Sequence, residues 1–135
     1  MSRIKTPGKN SSGGIHMKFP DILERFISYV KIDTRSQEDS RTFPSTAGQL
    51  MFAEILRSQL TEIGLSDCRV NENGYVFASL ASNQKSPTPT IALIAHMDTS
   101  PEIPGGDVIP QIHRDYKGAD IVLSDRPGAI LSIDE

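Results

Sequence analysis

The feature that most limits the fold is a nearly uninterrupted apolar run at residues 90–95 (TIALIA), which leads directly into His96 and Asp98. Six residues are too few to favour a helix, and such a run is typical of a strand buried on both faces. The run therefore predicts an α/β fold with a helix-flanked mixed sheet. His96 and Asp98 would lie at the carboxyl end of this strand, where open α/β sheets carry their ligand sites.

Two helices are predicted ahead of this strand. Apolar residues in the segment 20–32 recur at helical spacing, and Pro20 suits a first helical turn. The polar residues 33–43 predict a surface loop. Thr46 and Gln49 have the spacing of a capping box and open a second helix, which Gly64 ends.

Short strands and turns account for the rest of the patterned sequence. Residues 68–70 and 75–80 flank Asn73-Gly74, whose positive backbone angles suit a tight hairpin turn. The further predictions are a polar connector at 81–89, a loop at 100–106, strands at 109–112 and 121–124, and a turn at 125–128.

The two ends of the chain differ from its patterned middle. Residues 1–16, which include His16, are rich in Gly, Ser and Lys and resemble a disordered leader added for expression. A natural disordered tail is the alternative. Because the sequence stops within an apolar alternating segment, residues 130–135, we expect residues 17–135 to be a truncated domain.

Composition excludes several classes of partner. The net charge of −3 supplies no basic patch for nucleic acid. The single cysteine, Cys68, excludes an internal disulfide framework and a cysteine-based zinc site, which favours a reducing cytoplasm. No apolar run approaches the ~20 residues that cross a bilayer, so no membrane partner is expected.

The pair His96 and Asp98 is the main candidate for chemistry. Residues two apart in an extended segment point to the same side, so both can face one cleft while Met97 points away into packing. An imidazole is a common zinc ligand, and a carboxylate can hold its ring N–H and fix the tautomer. The pattern alone favours the structural alternative, a hydrogen-bonded strand-end histidine and an aspartate that caps a turn.

The other candidates favour structural roles. His113 lies in a polar stretch and is predicted to be exposed, and Cys68 is predicted to pack as a small half-buried residue. The remaining predictions are a solvated loop pair (Glu38, Asp39), residues that shape the turn after the strand with a hydroxyl near substrate (Thr99, Ser100, Pro101), and a bend without phosphate-loop spacing (Gly105, Gly106).

The sequence around His96 and Asp98 identifies a family more specifically than the His-x-Asp spacing alone. "AHMDTSPEIPGGDVIPQI" resembles the peptidase T branch of the dinuclear zinc aminopeptidases, whose first metal motif is His-x-Asp-Thr-Ser-Pro. "LERFISYVKIDTRS" and "FPSTAGQ" resemble that family's opening helix and following loop, and "YKGADIVLS" resembles the stretch after the metal motif. The resemblance covers residues 17–135.

The resemblance implies roles for two residues. His96 would ligate one zinc ion, and Asp98 would be the catalytic carboxylate that supports this ligand. The family's bridging aspartate, glutamate pair, further carboxylate and distant histidine have no match in this sequence. Residues 17–135 would then be the N-terminal portion of the catalytic zinc-peptidase domain, with at most partial zinc binding and no activity alone.

The function implied by the resemblance is release of the N-terminal residue from tripeptides by a cytoplasmic two-zinc hydrolase. A homodimer is expected for the full-length protein. One alternative is a dipeptidase or N-acyl-amino-acid deacylase of the same superfamily. An alternative of another class is a non-catalytic α/β segment that packs against a partner chain.

Overall fold

The computed structural model describes residues 22–123 and 128–133. Its helices are α1 (Ile22–Val30) and α2 (Ala47–Glu62), and its strands are β1 (Ser66–Val70), β2 (Val76–Ser79), β3 (Ile121–Val122) and β4 (Ile130–Leu131). β1 pairs with β2 and β3 with β4, both antiparallel, as two separate sheets. The predicted α/β class is confirmed, as a small partial arrangement. The predictions for residues 1–16, for Pro20 and for most of the turn at 125–128 lie outside the described residues.

Helix α1 packs on α2 through one aromatic residue. The ring of Tyr29 meets that of Phe52 edge to face, with centroids 5.0 Å apart, and the Tyr29 hydroxyl donates to Gln59 Oε1. Aromatic pairs favour this T-shaped arrangement. The helix ends at Val30, two residues earlier than predicted, and Phe26 remains 60% exposed.

The capping box predicted for α2 is wrong, although Thr46 is the N-cap residue as expected. The Thr46 hydroxyl donates to the carbonyl of Arg35 at 3.0 Å, and Gln49 Oε1 accepts from the amide of Ser45 at 3.1 Å. The Gln49 amide donates to the carbonyls of Thr34 and Arg35 at 3.2 and 3.1 Å. Both side chains bond the preceding loop because its carbonyls lie across the start of the helix.

That loop is not wholly a surface loop. Thr34 is 4% exposed and Gln49 is 6% exposed, so the segment before α2 passes under the helix terminus. Buried backbone carbonyls need hydrogen-bond partners, and Gln49 supplies one to each of the Thr34 and Arg35 carbonyls. The prediction of a surface loop holds for Glu38 and Asp39, which are exposed.

The end of α2 follows the prediction. Gly64 has a φ of +88°, the left-handed conformation that glycine adopts without steric cost. The amide of Gly64 donates to the carbonyl of Thr61, and that of Leu65 donates to the carbonyl of Leu60. These two bonds form a Schellman motif, which satisfies the last carbonyls of the helix and turns the chain into β1.

The hairpin is present with a wider turn than predicted. Gly74, at φ +80°, is the residue of the Asn73-Gly74 pair that takes a positive φ. The Gly74 amide donates to the Asn71 carbonyl, and Asn71 Oδ1 accepts from the amides of Asn73 and Tyr75. The Asn71 side chain therefore organises the turn, and α2 packs over the two strands that it joins.

Two of the predicted strands are wrong. Residues 90–95 form no strand in the described chain, and Ile91, Leu93 and Ile94 are 83%, 95% and 95% exposed. Residues 109–112 also lack a strand. A strand buried on both faces needs paired neighbours and a cover on each face. The ranges 22–123 and 128–133 place neither beside residues 90–95.

The core is correspondingly small. Within the described ranges, the buried apolar residues are Phe52 and Ala53, both on α2. The connector at 81–89 and the loop at 100–106 lack regular structure, as predicted. No helix in the described part of the chain has the length and apolar character needed to cross a bilayer.

Candidate functional site

The site is built where two distant segments of backbone meet. The amide of Ser36 donates to the carbonyl of Thr99 at 3.0 Å, and the amide of Thr99 donates to the carbonyl of Thr34 at 3.3 Å. Arg35 and Thr99 thereby form an isolated parallel bridge. This bridge fixes the backbone next to Asp98 although residues 90–95 form no strand.

His96 and Asp98 are in direct contact. His96 Nδ1 lies 3.0 Å from Asp98 Oδ1. An ionised carboxylate only accepts hydrogen bonds, so the Nδ1–H of the imidazole donates and the lone pair lies on Nε2. The imidazole is 84% exposed and the carboxylate 47% exposed. The arrangement presents one nitrogen ligand to solvent and orients it from behind, as carboxylates do for metal-bound histidines.

The charge on Asp98 is stabilised locally. The hydroxyl of Ser36 donates to Asp98 Oδ2 at 2.5 Å. This hydrogen bond first, and the His96 contact second, hold the pKa of the Asp98 carboxyl below its usual value. Each carboxylate oxygen therefore has its own donor, which keeps the group ionised while it faces His96.

Ser36 is the residue that sequence reasoning missed. It lies 62 residues from Asp98 in a polar loop, and neither periodicity nor motif spacing signals the contact. The resemblance of "LERFISYVKIDTRS" to the family's opening helix implies no role for this serine. The contact depends on the bridge, which only the folded chain shows.

An ion pair between Asp33 and Arg35 lies against Gly105, in the loop that follows the His96–Asp98 motif. Arg35 donates from Nε and Nη2 to the two carboxylate oxygens of Asp33, at 3.0 and 2.9 Å. These bonds lower the pKa of the half-exposed Asp33 carboxyl. An added Cβ at Gly105 would lie 2.7 Å from Asp33 Oδ1 and 2.9 Å from Arg35 Cγ. The predicted bend at Gly105 is therefore also a close approach, where an added side chain would require the Asp33 and Arg35 side chains to shift.

An apolar cavity of about 580 Å³ adjoins the pair. His96, Asp98, Thr99 and Ser100 form its polar edge. Met97 also lines it, contrary to the prediction that it points away from the cleft. The apolar wall comes from α1 and the residues just after it, from α2 and from the segment after the motif (Phe26, Tyr29, Val30, Ile32, Phe52, Ile103, Pro104, Val108). Such a wall suits an aliphatic group of a ligand held beside His96.

The donor set fits one position of a metal site. His96 offers a free Nε2 with a supporting carboxylate, which is the chemistry of one zinc ligand and its orienting partner. Among the residues that the structure describes, no three or more His, Cys, Asp or Glu side chains cluster in a way that would hold a metal ion. The roles of His96 and Asp98 as ligand and catalytic carboxylate stay predictions.

The other candidates lie elsewhere. His113 is exposed and lies outside the cavity lining. The thiol of Cys68 is half-buried and directed to the carbonyls of Leu65 and Ser66, at 3.4 and 3.7 Å, in keeping with a packing role. Pro101 is exposed in the turn that follows Ser100.

The curated proteins to which this chain is similar include several that carry the same name, peptidase T. No protein-family model matches the chain. The chain is 55% identical over 114 residues to a peptidase T of Caldanaerobacter subterraneus subsp. tengcongensis, which covers 84% of this chain and 28% of that protein. It is 51% identical over 115 residues to a peptidase T of Clostridium botulinum (strain Loch Maree), with 85% and 28% covered. A peptidase T of Halothermothrix orenii is 52% identical over 113 residues, with 84% and 28% covered.

These relatives bear on the family resemblance and on how much of a relative this chain spans. Identity above half over more than four-fifths of this sequence is the relationship that the His-x-Asp-Thr-Ser-Pro wording predicts. The chain spans 28% of the length of each of these curated relatives. Over most of its own length, the chain is therefore homologous to these peptidase T proteins.

Proposed function

We propose that this chain supplies one zinc ligand, His96, and its supporting carboxylate, Asp98, to a metal-dependent aminopeptidase that releases the N-terminal residue from tripeptides. The observation that carries the proposal is the 3.0 Å contact between His96 Nδ1 and Asp98 Oδ1 within the family motif. The relatives named peptidase T support the peptidase class. The activity belongs to a protein of their length, and this chain alone is proposed to be inactive.

The chain's own residues have separable tasks. Asp98 keeps the imidazole proton on Nδ1, so that His96 holds its Nε2 lone pair toward solvent and available to a metal. Ser36 occupies the second oxygen of Asp98 and keeps the carboxylate ionised. Zinc ions, when bound, would polarise the scissile carbonyl and lower the pKa of a water molecule. The remaining ligands and the general base are proposed to come from the part of the protein that this sequence does not cover.

The cavity beside the pair suggests where an aliphatic part of the peptide lies. Its wall is formed by aliphatic and aromatic side chains, and His96 and Asp98 stand at its edge. A peptide whose carbonyl approaches His96 could place an apolar side chain against Phe26, Ile103 and Val108. Burying one such side chain contributes roughly 1.5–3 kcal/mol.

Two further proposals concern the whole protein. A reducing cytoplasm is proposed as its compartment, on the basis of the single cysteine, Cys68. A homodimer is proposed from the family resemblance, and light scattering on a protein of full family length tests it.

The decisive experiment places this chain in a protein of the relatives' length. A chimaera in which this chain replaces the matching segment of the Caldanaerobacter peptidase T is purified with zinc and assayed on tripeptides, dipeptides and N-acyl amino acids. We expect tripeptide hydrolysis. His96→Ala should lower turnover and zinc content together, and Asp98→Asn should lower activity by about 10–100-fold, the usual effect of losing a partner of a metal ligand. His113→Ala is the matched control and should be neutral.

The alternatives predict different outcomes. Preference for dipeptides or N-acyl amino acids would identify a different substrate class of the same superfamily. A folded chimaera that takes up no zinc and hydrolyses none of the substrates would support a non-catalytic segment that packs against a partner chain. Unchanged tripeptide turnover in His96→Ala would remove His96 from the site.

A further inference from the structure

Asp98 is held between two donors that come from opposite directions. His96 Nδ1 contacts Oδ1 at 3.0 Å, and the Ser36 hydroxyl donates to Oδ2 at 2.5 Å. A carboxylate that is 47% exposed would otherwise rotate and accept hydrogen bonds from water. With Oδ2 held by Ser36, the rotation that leaves Oδ1 facing His96 is favoured.

Ser36 is itself fixed from behind. Its amide donates to the Thr99 carbonyl at 3.0 Å, one residue beyond Asp98. The preceding carbonyls, of Thr34 and Arg35, accept from the Gln49 amide, and Gln49 is only 6% exposed. A buried polar side chain that bonds two successive carbonyls holds the backbone in one arrangement. A continuous set of hydrogen bonds thus runs from α2 through Ser36 to Asp98.

We propose that Ser36 is a positioning residue, which acts through Asp98 to keep the His96 proton on Nδ1 and its Nε2 free. The role involves hydrogen bonds only: the serine hydroxyl donates to Asp98 Oδ2, Asp98 Oδ1 accepts from the imidazole Nδ1–H, and no proton is transferred. The consequence for zinc rests on the proposed function. The consequence for the imidazole tautomer does not, because it applies to this chain without metal.

A purely structural role for Ser36 makes a different prediction. If the serine only joins residues 34–36 to Thr99, its amide does this and its hydroxyl is dispensable. Removal of the hydroxyl would then leave the tautomer of His96 unchanged. A change in the His96 tautomer on removal of the Ser36 hydroxyl therefore distinguishes a positioning role from a purely structural one.

The test uses the ¹⁵N-labelled 135-residue chain, without metal, at about pH 8.5, two units above the reference pKa of about 6.5 for a free imidazole. Long-range ¹H–¹⁵N correlation spectra report the ratio of Nδ1–H to Nε2–H at His96. We expect Ser36→Ala to lower this ratio about threefold, the scale of one exposed hydrogen bond. Ser36→Thr should restore it, and Asp98→Asn should abolish the preference. Ser40→Ala, in the same loop but bonded to Thr42, is the matched control.

The outcomes separate the proposal from the proposed function. An unchanged ratio in Ser36→Ala, or an equal fall in Ser40→Ala, would overturn the positioning role. Amide spectra report folding, and if Ser36→Ala unfolds, Ser36→Cys replaces it, with a smaller fall expected from its weaker donor. Zinc alone is then added. If the ratio behaves as expected but zinc does not perturb His96 Nε2, the positioning role stands and the proposed metal site fails.

Discussion

Gly48 offers the most direct test of how the site backbone is held. An added Cβ at Gly48 would lie 1.9 Å from the carbonyl oxygen of Asp33 and 3.2 Å from its carbon. Non-bonded heavy atoms keep about 3.5 Å, so the loop would have to move by roughly 1.5 Å. The obstructing atom is backbone, and the same loop carries the carbonyls that Gln49 bonds.

Gly48→Ala therefore has two opposing effects on stability, a gain in helix propensity and a cost of overpacking. Alanine gains about 1 kcal/mol over glycine in a helix, whereas overpacking costs typically about 1–3 kcal/mol and occasionally more. Because the clash is far inside contact distance, the upper part of that range applies. We expect a net loss of about 2 kcal/mol in the free energy of unfolding.

Urea unfolding followed by far-ultraviolet circular dichroism measures this change. Ser58→Ala, at an exposed position of α2, is the matched control and should change stability by no more than about 0.5 kcal/mol. A Gly48→Ala chain as stable as the original, or more stable, would show that helix propensity decides and that the close approach of the loop to α2 is absent.

Three further predictions concern the loop, the ion pair and the exposed run. Gln49→Leu removes one hydrogen bond from each of two loop carbonyls, which keep the Thr99 amide and the Thr46 hydroxyl as donors. At about 0.5–1.5 kcal/mol for each lost bond, the substitution should cost about 1–3 kcal/mol in urea unfolding, whereas Gln84→Leu in the exposed connector should be neutral. Arg35 lowers the folded-state pKa of Asp33, so the contribution of Asp33 to stability is present above the unfolded pKa of about 3.9 and is lost as the pH falls through the folded value. The free energy of unfolding, measured from pH 5 downward, should therefore fall less steeply with pH in Asp33→Asn. An unchanged slope would contradict this. The exposed apolar run at 90–95 should drive self-association of the chain. Light scattering should show less self-association in Leu93→Lys and no change in Asn83→Lys. A monodisperse monomer of the original chain would contradict this prediction.

Predictions from sequence succeeded where the cause is local. The Schellman motif at Gly64 needs only a glycine after an amphipathic helix, and the hairpin needs a turn between two short strands. Thr46 was correctly placed at the start of α2, but its hydroxyl and the Gln49 side chain bond the loop instead of the helix. The capping box failed because a distant backbone segment competes for the same side chains.

Predictions failed where a contact is distant in sequence. The run at 90–95 has the composition of a central strand, but composition cannot supply the neighbours that make a strand. Ser36 is separated from Asp98 by 62 residues, and only the parallel bridge brings them together. The contact between His96 and Asp98 could be predicted from sequence because its two members are only two residues apart.

The central claim is that His96 offers Nε2 to zinc while Asp98 holds Nδ1. A zinc titration of the ¹⁵N-labelled chain, with the histidine ring nitrogens observed individually, tests it most directly, and His113 serves as the internal control. The account predicts weak, saturable binding that perturbs Nε2 of His96 before any nitrogen of His113. Tight stoichiometric zinc, or binding that leaves His96 Nε2 unchanged, would contradict it.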